Sequence, residues 1–292
     1  MIPKEVLKKV RKIQITTTRK VMDVFAGRYQ SVFKGSGMEF NEVREYNPGD
    51  EIRSIDWNVT ARMGHPFVKK FIEERELTII FLLDVSSSCR FGTRTRLKRD
   101  TAAELCSAIA FSAINNNDKV GMITFTDRVE EFIPARKGVK HVLRVIRESL
   151  YNEPKGIGTD INQALNYLNT VVKRRAVVFI VSDFIAGDFK KTLSAANSRH
   201  DVIAVRVKDP AEESIPDVGI INVHDAETGK NFVLDTSNPR IQKFYNKGSH
   251  EVQEKVKDIF KSAGVDVIEI NTNESYVDPL VKFFRLRERK KR

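Results

Sequence analysis

Runs of apolar residues with almost no polar interruption alternate along this chain with stretches in which apolar side chains recur every three or four positions. The run 77–83 (Leu-Thr-Ile-Ile-Phe-Leu-Leu) predicts a strand buried on both faces. Segments 119–124, 176–181, 201–207 and 265–270 predict further strands. Between them, helical spacing predicts helices over 96–115, 139–151, 160–172, 189–197 and 239–263, with a last one near 277–287. In the first of these, Ala102, Ala103, Leu105, Cys106, Ile109, Ala110 and Ala113 supply the apolar side. Residues 128–133, where Val129, Phe132 and Ile133 are interleaved with Glu130 and Glu131, predict a short edge strand. Residues 220–235 predict a small hairpin around Glu227-Thr228-Gly229. Apolar strands alternating with amphipathic helices define an α/β protein: a doubly wound, mostly parallel sheet flanked by helices on both faces. Such sheets hold ligands outside the carboxyl ends of their strands, so that rim is where chemistry is expected.

The texture before residue 70 is different. Residues 3–25 predict helices: Pro3 opens the first, Val6, Val10 and Ile13 share a face, and Gly27 ends the second. Residues 27–62 mix glycine, aromatic and charged residues with no sustained period, which predicts short strands and turns, with a strong turn at Asn47-Pro48-Gly49-Asp50. The chain therefore divides into an N-terminal extension, 1–70, of helices followed by a β-rich motif segment; the α/β domain, 71–275; and a C-terminal helix with a basic tail, 276–292.

Composition narrows the class. Apolar residues make up 41% and charged residues 30% of 292, too apolar for a disordered chain. Two cysteines, Cys89 and Cys106, exclude a disulfide scaffold and fit a reducing compartment. No apolar stretch approaches the ~20 residues of a membrane helix, and the basic N-terminus has no apolar block of signal-peptide length behind it, so a cytoplasmic location is expected. The net charge of +11 sits at the ends: residues 1–20 and 282–292 each hold seven basic residues and one acid, and the body between is close to neutral. A neutral body argues against a specific nucleic-acid-gripping surface. The basic ends can touch acidic surfaces, or be a solvated helix face and tail.

At the end of the first core strand stands Asp84-Val85-Ser86-Ser87-Ser88. In an extended segment, positions 84, 86 and 88 project to one side and offer one carboxylate and two hydroxyls. Hard divalent cations take such oxygen donors, and so few charges leave the cation wanting a further carboxylate from outside. Thr159, in the glycine-loosened Gly156-Ile-Gly-Thr-Asp160, and Asp183, in Val181-Ser-Asp-Phe184, are expected on the same rim. Taken singly each residue also fits a plainer role: Ser86 or Thr159 as a helix cap, Asp183 as a turn residue.

Together, Asp84-x-Ser86-x-Ser88, Thr159 and Asp183 resemble the metal-ion-dependent adhesion site of the von Willebrand factor type A fold, itself Rossmann-like, over roughly residues 75–272. The resemblance implies a largely parallel sheet with one short antiparallel edge strand. It implies that these five residues form the inner and second shells of a divalent cation, Mg²⁺ first with Mn²⁺ or Ca²⁺ also suited. It implies too that an open coordination position is filled by a partner's acidic side chain. Cys89 stands where such sequences often carry Met and is not at a ligand position.

A second dense motif precedes the sheet: Arg44-x-Tyr46-x-x-Gly49-Asp50-x-x-Arg53-x-Ile-Asp56-Trp57, followed by Ala61-Arg62. Arg44, Arg53 and Arg62 are expected to pair with Asp50 and Asp56, and Trp57, the one tryptophan, to bury a large area. The motif reads either as an ionic and aromatic clamp or as an interaction surface. Its spelling, ending in a strand and Asp-x-Ser-x-Ser, closely resembles the bacterial "domain of unknown function 58" (DUF58) family over about residues 27–287, of the type without membrane-anchoring apolar helices. Members are often linked with MoxR-type AAA+ ATPases. The resemblance therefore implies a non-enzymatic adaptor or co-chaperone that binds such an ATPase or its client through an acidic residue.

Two other functions compete with this reading. A metal-dependent hydrolase of phosphoester type would want Asp-x-Asp after the first strand, and Ser86 stands in the third position, where the general acid/base carboxylate would be. The five histidines are scattered, and no Walker-type loop occurs. Binding of RNA or an anionic surface through the basic termini, with Phe283 and Phe284 stacking or packing the last helix, is the other alternative.

Overall fold

The computed structural model describes residues 37–291 apart from 75, 94–95 and 226–228. The helices expected over 3–25 and the basic N-terminus lie outside the described residues.

Two compact units emerge. The smaller, Phe33–Leu77, is built on an antiparallel pair, β1 (Gly37–Glu45) with β2 (Phe67–Glu74), joined through a short helix α1 (Trp57–Met63). The boundary drawn at residue 70 falls inside β2, which belongs with this unit because it pairs with β1 along its length. Asp56 caps α1, its Oδ1 accepting from the backbone of Asn58 and Val59, and Gly64 ends it at φ 76°, where a side chain would be strained. Arg44 grips Asp50 with two parallel hydrogen bonds of 2.8 and 2.7 Å, as expected. The remaining expected pairs differ: Asp56 lies 3.5 Å from Lys69, and among the described residues Arg53 and Arg62 have no carboxylate at ion-pair distance. Trp57 is 67% exposed, not buried, because as the first residue of α1 it points off a helix that buries none of its residues.

The larger unit carries a six-stranded sheet: β3 (Thr78–Asp84), β4 (Lys119–Phe125), β5 (Val129–Arg136), β6 (Val177–Ser182), β7 (Asp201–Lys208) and β10 (Asp266–Asn271). Their order is β10-β7-β6-β3-β4-β5, all parallel except the β5 edge. Helices α2 (Lys98–Asn115), α3 (Val139–Tyr151), α4 (Ile161–Val171), α5 (Lys190–Arg199) and α7 (Pro239–Ala263) follow the strands, with the single turn α6 (Pro210–Glu213) after β7. A hairpin, β8 (Ile220–His224) with β9 (Asn231–Asp235), precedes α7, and α8 (Val277–Lys291) closes the described chain.

The strands that read as continuous apolar runs are the buried ones: every residue of β6, and every residue of β3 and β4 after the first. Ile80, Leu82 and Ile180 pack with Leu165, Leu168, Leu193 and Phe260 into one core. The basic end is helix rather than loose tail. Arg287 pairs with Asp201 and, at 3.4 Å, with Asp266, while Phe284 is buried and Phe283 stacks edge-on against it. No helix among the described residues is long and apolar enough to cross a membrane.

Candidate metal centre

β3 and β6 are adjacent and parallel, so their carboxyl ends, at Asp84 and Ser182-Asp183, open on the same rim. Asp84 is fully buried and held from two sides. The Ser86 backbone N–H donates to its Oδ1 at 3.0 Å, and the Ser182 hydroxyl donates to its Oδ2 at 2.6 Å. Burial, and next the neighbouring Asp183 carboxylate, push the Asp84 carboxyl up to about 6. The Oγ atoms of Ser86 and Ser88 stand 3.1 Å apart, in the turn of 3₁₀ helix Ser87–Arg90.

The third loop is brought in by main-chain bonds. Ser87 N–H donates to Ile157 O at 3.0 Å, and Asp160 N–H donates to Thr126 O at 2.9 Å. Gly156 has no room for a Cβ, which would sit 2.0 Å from Asp127 Oδ1, 2.1 Å from Thr126 Oγ1 and 2.9 Å from Thr126 Cβ. Glu130, on edge strand β5, accepts from the backbone N–H groups of Lys155 and Gly156 and from the Thr126 hydroxyl. Thr159 is not the cap of α4. That role falls to Asp160, which accepts from Asn162 and Gln163. The Thr159 Oγ1 is buried and makes no hydrogen bond.

Asp183 does more than make a turn. Its Oδ1 accepts from Ile185 N–H at 3.1 Å, and its Oδ2 accepts from the Lys98 ammonium at 2.7 Å, both side chains being 1% exposed. Lys98 also bonds Glu212, and its Nζ lies 5.9 Å from the Phe91 ring centre. Burial raises the Glu212 carboxyl, with Lys98 opposing that rise; Lys98, desolvated, is nonetheless held charged chiefly by Asp183. Phe184, next to Asp183, adopts φ 59° and is fully buried against Phe260 in an edge-on contact of 4.8 Å. A phenylalanine in the left-handed region costs about 1–2 kcal/mol, so this packing holds a strained turn immediately after the carboxylate.

The rim thus gathers Asp84, Ser86, Ser88 and Asp183, with the Thr159 loop bonded to Ser87. Lys98, Ser182, Glu130 and Glu212 are not among the residues that the sequence motifs single out. Lys98 left one trace in the sequence: a lysine in the first turn of a helix is disfavoured by the helix dipole unless a partner compensates it. Glu212 left another, the Asp209-Pro-Ala-Glu212 spelling of a capping box.

The donor set suits a hard cation. Two oxygens on adjacent corners of an octahedron with bonds of about 2.1 Å stand about 3 Å apart, which is the spacing of the two serine hydroxyls. Among the described residues no cluster of three or more His, Cys, Asp or Glu has metal-holding geometry, and this rim, with two carboxylates and two serine hydroxyls, is of another kind.

An open α/β sheet of six strands with one antiparallel edge and an Asp-x-Ser-x-Ser rim is a von Willebrand factor A-like fold. Over residues 42–255 the chain matches the family described as "Protein of unknown function DUF58", and it belongs to that family. It is 30% identical over 285 residues to the uncharacterized protein Rv1480 of Mycobacterium tuberculosis, covering 96% of this chain and 89% of that one. It is 22% identical to the uncharacterized protein YeaD of Bacillus subtilis over 57% of this chain and 40% of that one. Among solved structures, an aerotolerance-related membrane protein from Bacteroides fragilis shares the fold, with a TM-score of 0.50 and 17% identity over 73% of this chain and 99% of that one.

Proposed function

We propose that this chain is a non-enzymatic protein-binding module. It presents a divalent cation, Mg²⁺ first with Mn²⁺ or Ca²⁺ also accommodated, to an acidic side chain of a partner. Asp84, Ser86 and Ser88 would supply direct oxygen donors; Thr159 and Asp183 would supply or orient the rest. The observation that carries this reading is the Thr159 hydroxyl, buried and without a partner on the loop bonded to Ser87. An orphaned buried hydroxyl costs about 1–3 kcal/mol unless a ligand satisfies it.

The chain's own residues divide the work. Ser182 and the Ser86 amide hold the Asp84 carboxylate in one orientation. Lys98 balances Asp183, so two neighbouring buried carboxylates are not left to repel each other alone. Glu130 and the tight Gly156 turn fix the third loop. The bound cation would supply the charge that captures a carboxylate.

A binding role fits the site better than hydrolysis. No histidine bonds any of these residues: His200 is buried elsewhere, His141 bonds Val120 O, and His224, which lines the same cavity as Asp183, bonds the Asn231 side chain. Lys98 is committed to two carboxylates and is no free general base. Family resemblance supplies the candidate partner, a MoxR-type AAA+ ATPase or its client. The two buried, unpaired cysteines support a cytoplasmic place. Titration calorimetry of the full chain with Mg²⁺ and Mn²⁺ tests the reading: saturable uptake lost in Asp84→Ala is expected, and no uptake by the parent protein refutes it.

A further inference from the structure

Beside the rim lies a groove of about 680 Å³ that begins at Ser87, Ser88 and Asp183 and runs out between α7 and the β8 edge. Its α7 wall is a stripe at four-residue spacing, Phe244, Gly248 and Val252, on one helix face. Tyr245 and Ser249, the next residues round, are turned inward: the Tyr245 hydroxyl donates to Ala211 O, and the Ser249 hydroxyl donates to Glu212 O. These bonds tie α7 to the turn carrying Glu212 and leave the Phe244 stripe without a partner among the described residues. Phe244 is 83% exposed; Phe91 and Ile185, on the opposite wall, are each close to half exposed. A phenylalanine so bare at the mouth of an apolar groove is a surface made to be covered.

Charges of both signs line the groove: Asp183, Glu212 and Glu213 against Arg90, Arg206 and Lys208. Lys208 is taken up by Glu213 and Glu269, and Arg90 is exposed to solvent. Arg206, 3% exposed, is different: its Nη1 has no hydrogen-bond acceptor and stands 4.0 Å from the nearest carboxylate, Glu269. A buried guanidinium nitrogen without an acceptor is uncommon and marks a place where an incoming acceptor is rewarded.

We propose that the groove receives a partner-protein segment in which an acidic residue is flanked by bulky apolar side chains. The acid goes to the rim, and the apolar neighbours lie against Phe244, Val252 and Phe91. This deepens the cation-site reading and rests on it for the destination of the acid. The groove accounts for selectivity, since a bare carboxylate on a cation distinguishes few partners, whereas an apolar neighbour in a shaped groove adds discrimination.

The test measures fluorescence anisotropy of three labelled twelve-residue peptides on the full chain in excess Mg²⁺. One carries a central Glu between Phe and Leu, one replaces that Glu by Gln, and one replaces Phe and Leu by Ala. The first is expected to bind; the Gln peptide to lose binding; the Ala peptide to bind more weakly by about tenfold or more, two partly buried apolar side chains being removed. Phe244→Glu, on an exposed position, should bring the first peptide down to the level of the Ala peptide while leaving Mg²⁺ uptake by calorimetry unchanged. Mg²⁺ uptake with equal binding of the first and Ala peptides, with no binding of either, or with no effect of Phe244→Glu overturns the groove proposal alone. If Mg²⁺ is not taken up, the cation reading falls. The groove proposal then survives only if the first peptide still outbinds the Ala peptide, and is overturned otherwise. Sedimentation showing a dimer that Phe244→Glu dissociates overturns it too, since the occupant is then a second copy.

Discussion

The Lys98 ammonium stands 2.7 Å from the Asp183 carboxylate, 85 positions away in sequence, and both side chains are sealed from solvent. The same ammonium bonds Glu212, so one buried cation serves two carboxylates. Removing it leaves both uncompensated. Lys98→Met is expected to destabilise the protein by about 3–5 kcal/mol in metal-free urea denaturation. Glu212→Gln in the same chain should restore part of that loss. On the cation reading, Mg²⁺ should stabilise Lys98→Met more than the parent, because the dication takes over the compensation of Asp183. Equal Mg²⁺ responses would count against a shared Asp183.

Asp84→Asn separates stability from binding. With the folded-state carboxyl pushed up to about 6, the unfolded chain ionises first. This group therefore lowers stability as pH rises from about 4 to 6, and the loss persists above 6. At pH 7 the metal-free Asn variant should be more stable than the parent by up to about 3 kcal/mol, since its amide oxygen can still accept from Ser86 or Ser182. It should show no thermal shift with Mg²⁺. A variant that is less stable and still responds to Mg²⁺ would contradict both halves.

Gly156→Ala tests the loop that carries Thr159. Its Cβ would overlap Asp127 Oδ1 and Thr126 Oγ1; the exposed Asp127 can swing away, the buried Thr126 cannot. A cost of about 1–3 kcal/mol in thermal or urea unfolding is expected, with loss of Mg²⁺ response exceeding the loss of stability. Glu130→Ala, which removes three hydrogen bonds to the same region, should act in the same direction.

His200 is expected to cost the protein stability in acid. It is buried, neither ring nitrogen has a partner, and burial, then Arg199 and Arg175, press its pKa down to about 4. The unfolded chain takes up a proton near 6.5 that the folded chain refuses, so stability falls as pH drops from about 6.5 to 4, by about 3 kcal/mol in total. Asp84 opposes this over the lower part of the range. In His200→Leu the acid-side decline should be markedly shallower in urea titrations at stepped pH; an unchanged slope would remove His200 from the account.

Much of this architecture is legible along the chain. Buried strands such as 77–83 and 176–181 declare themselves because both of their faces meet other apolar atoms, so no polar residue interrupts them. The sheet class, the carboxyl-end rim, and Asp84, Ser86, Ser88, Thr159 and Asp183 as candidates follow from local pattern and motif spelling. Trp57 is exposed although its size predicts burial, because size predicts burial only where a neighbour exists to cover it, and α1 buries nothing. The expected Arg53 and Arg62 pairs do not form among the described residues, because charge supply along a segment does not say which groups come within 4 Å. Lys98, Glu130, Arg206 and the Phe244 stripe needed the folded molecule. Their meaning lies in contacts between elements far apart in sequence, and the order in which parallel strands lie beside one another decides those contacts. Periodicity records only whether a side chain faces inward; its partner is set by the packing of the whole sheet.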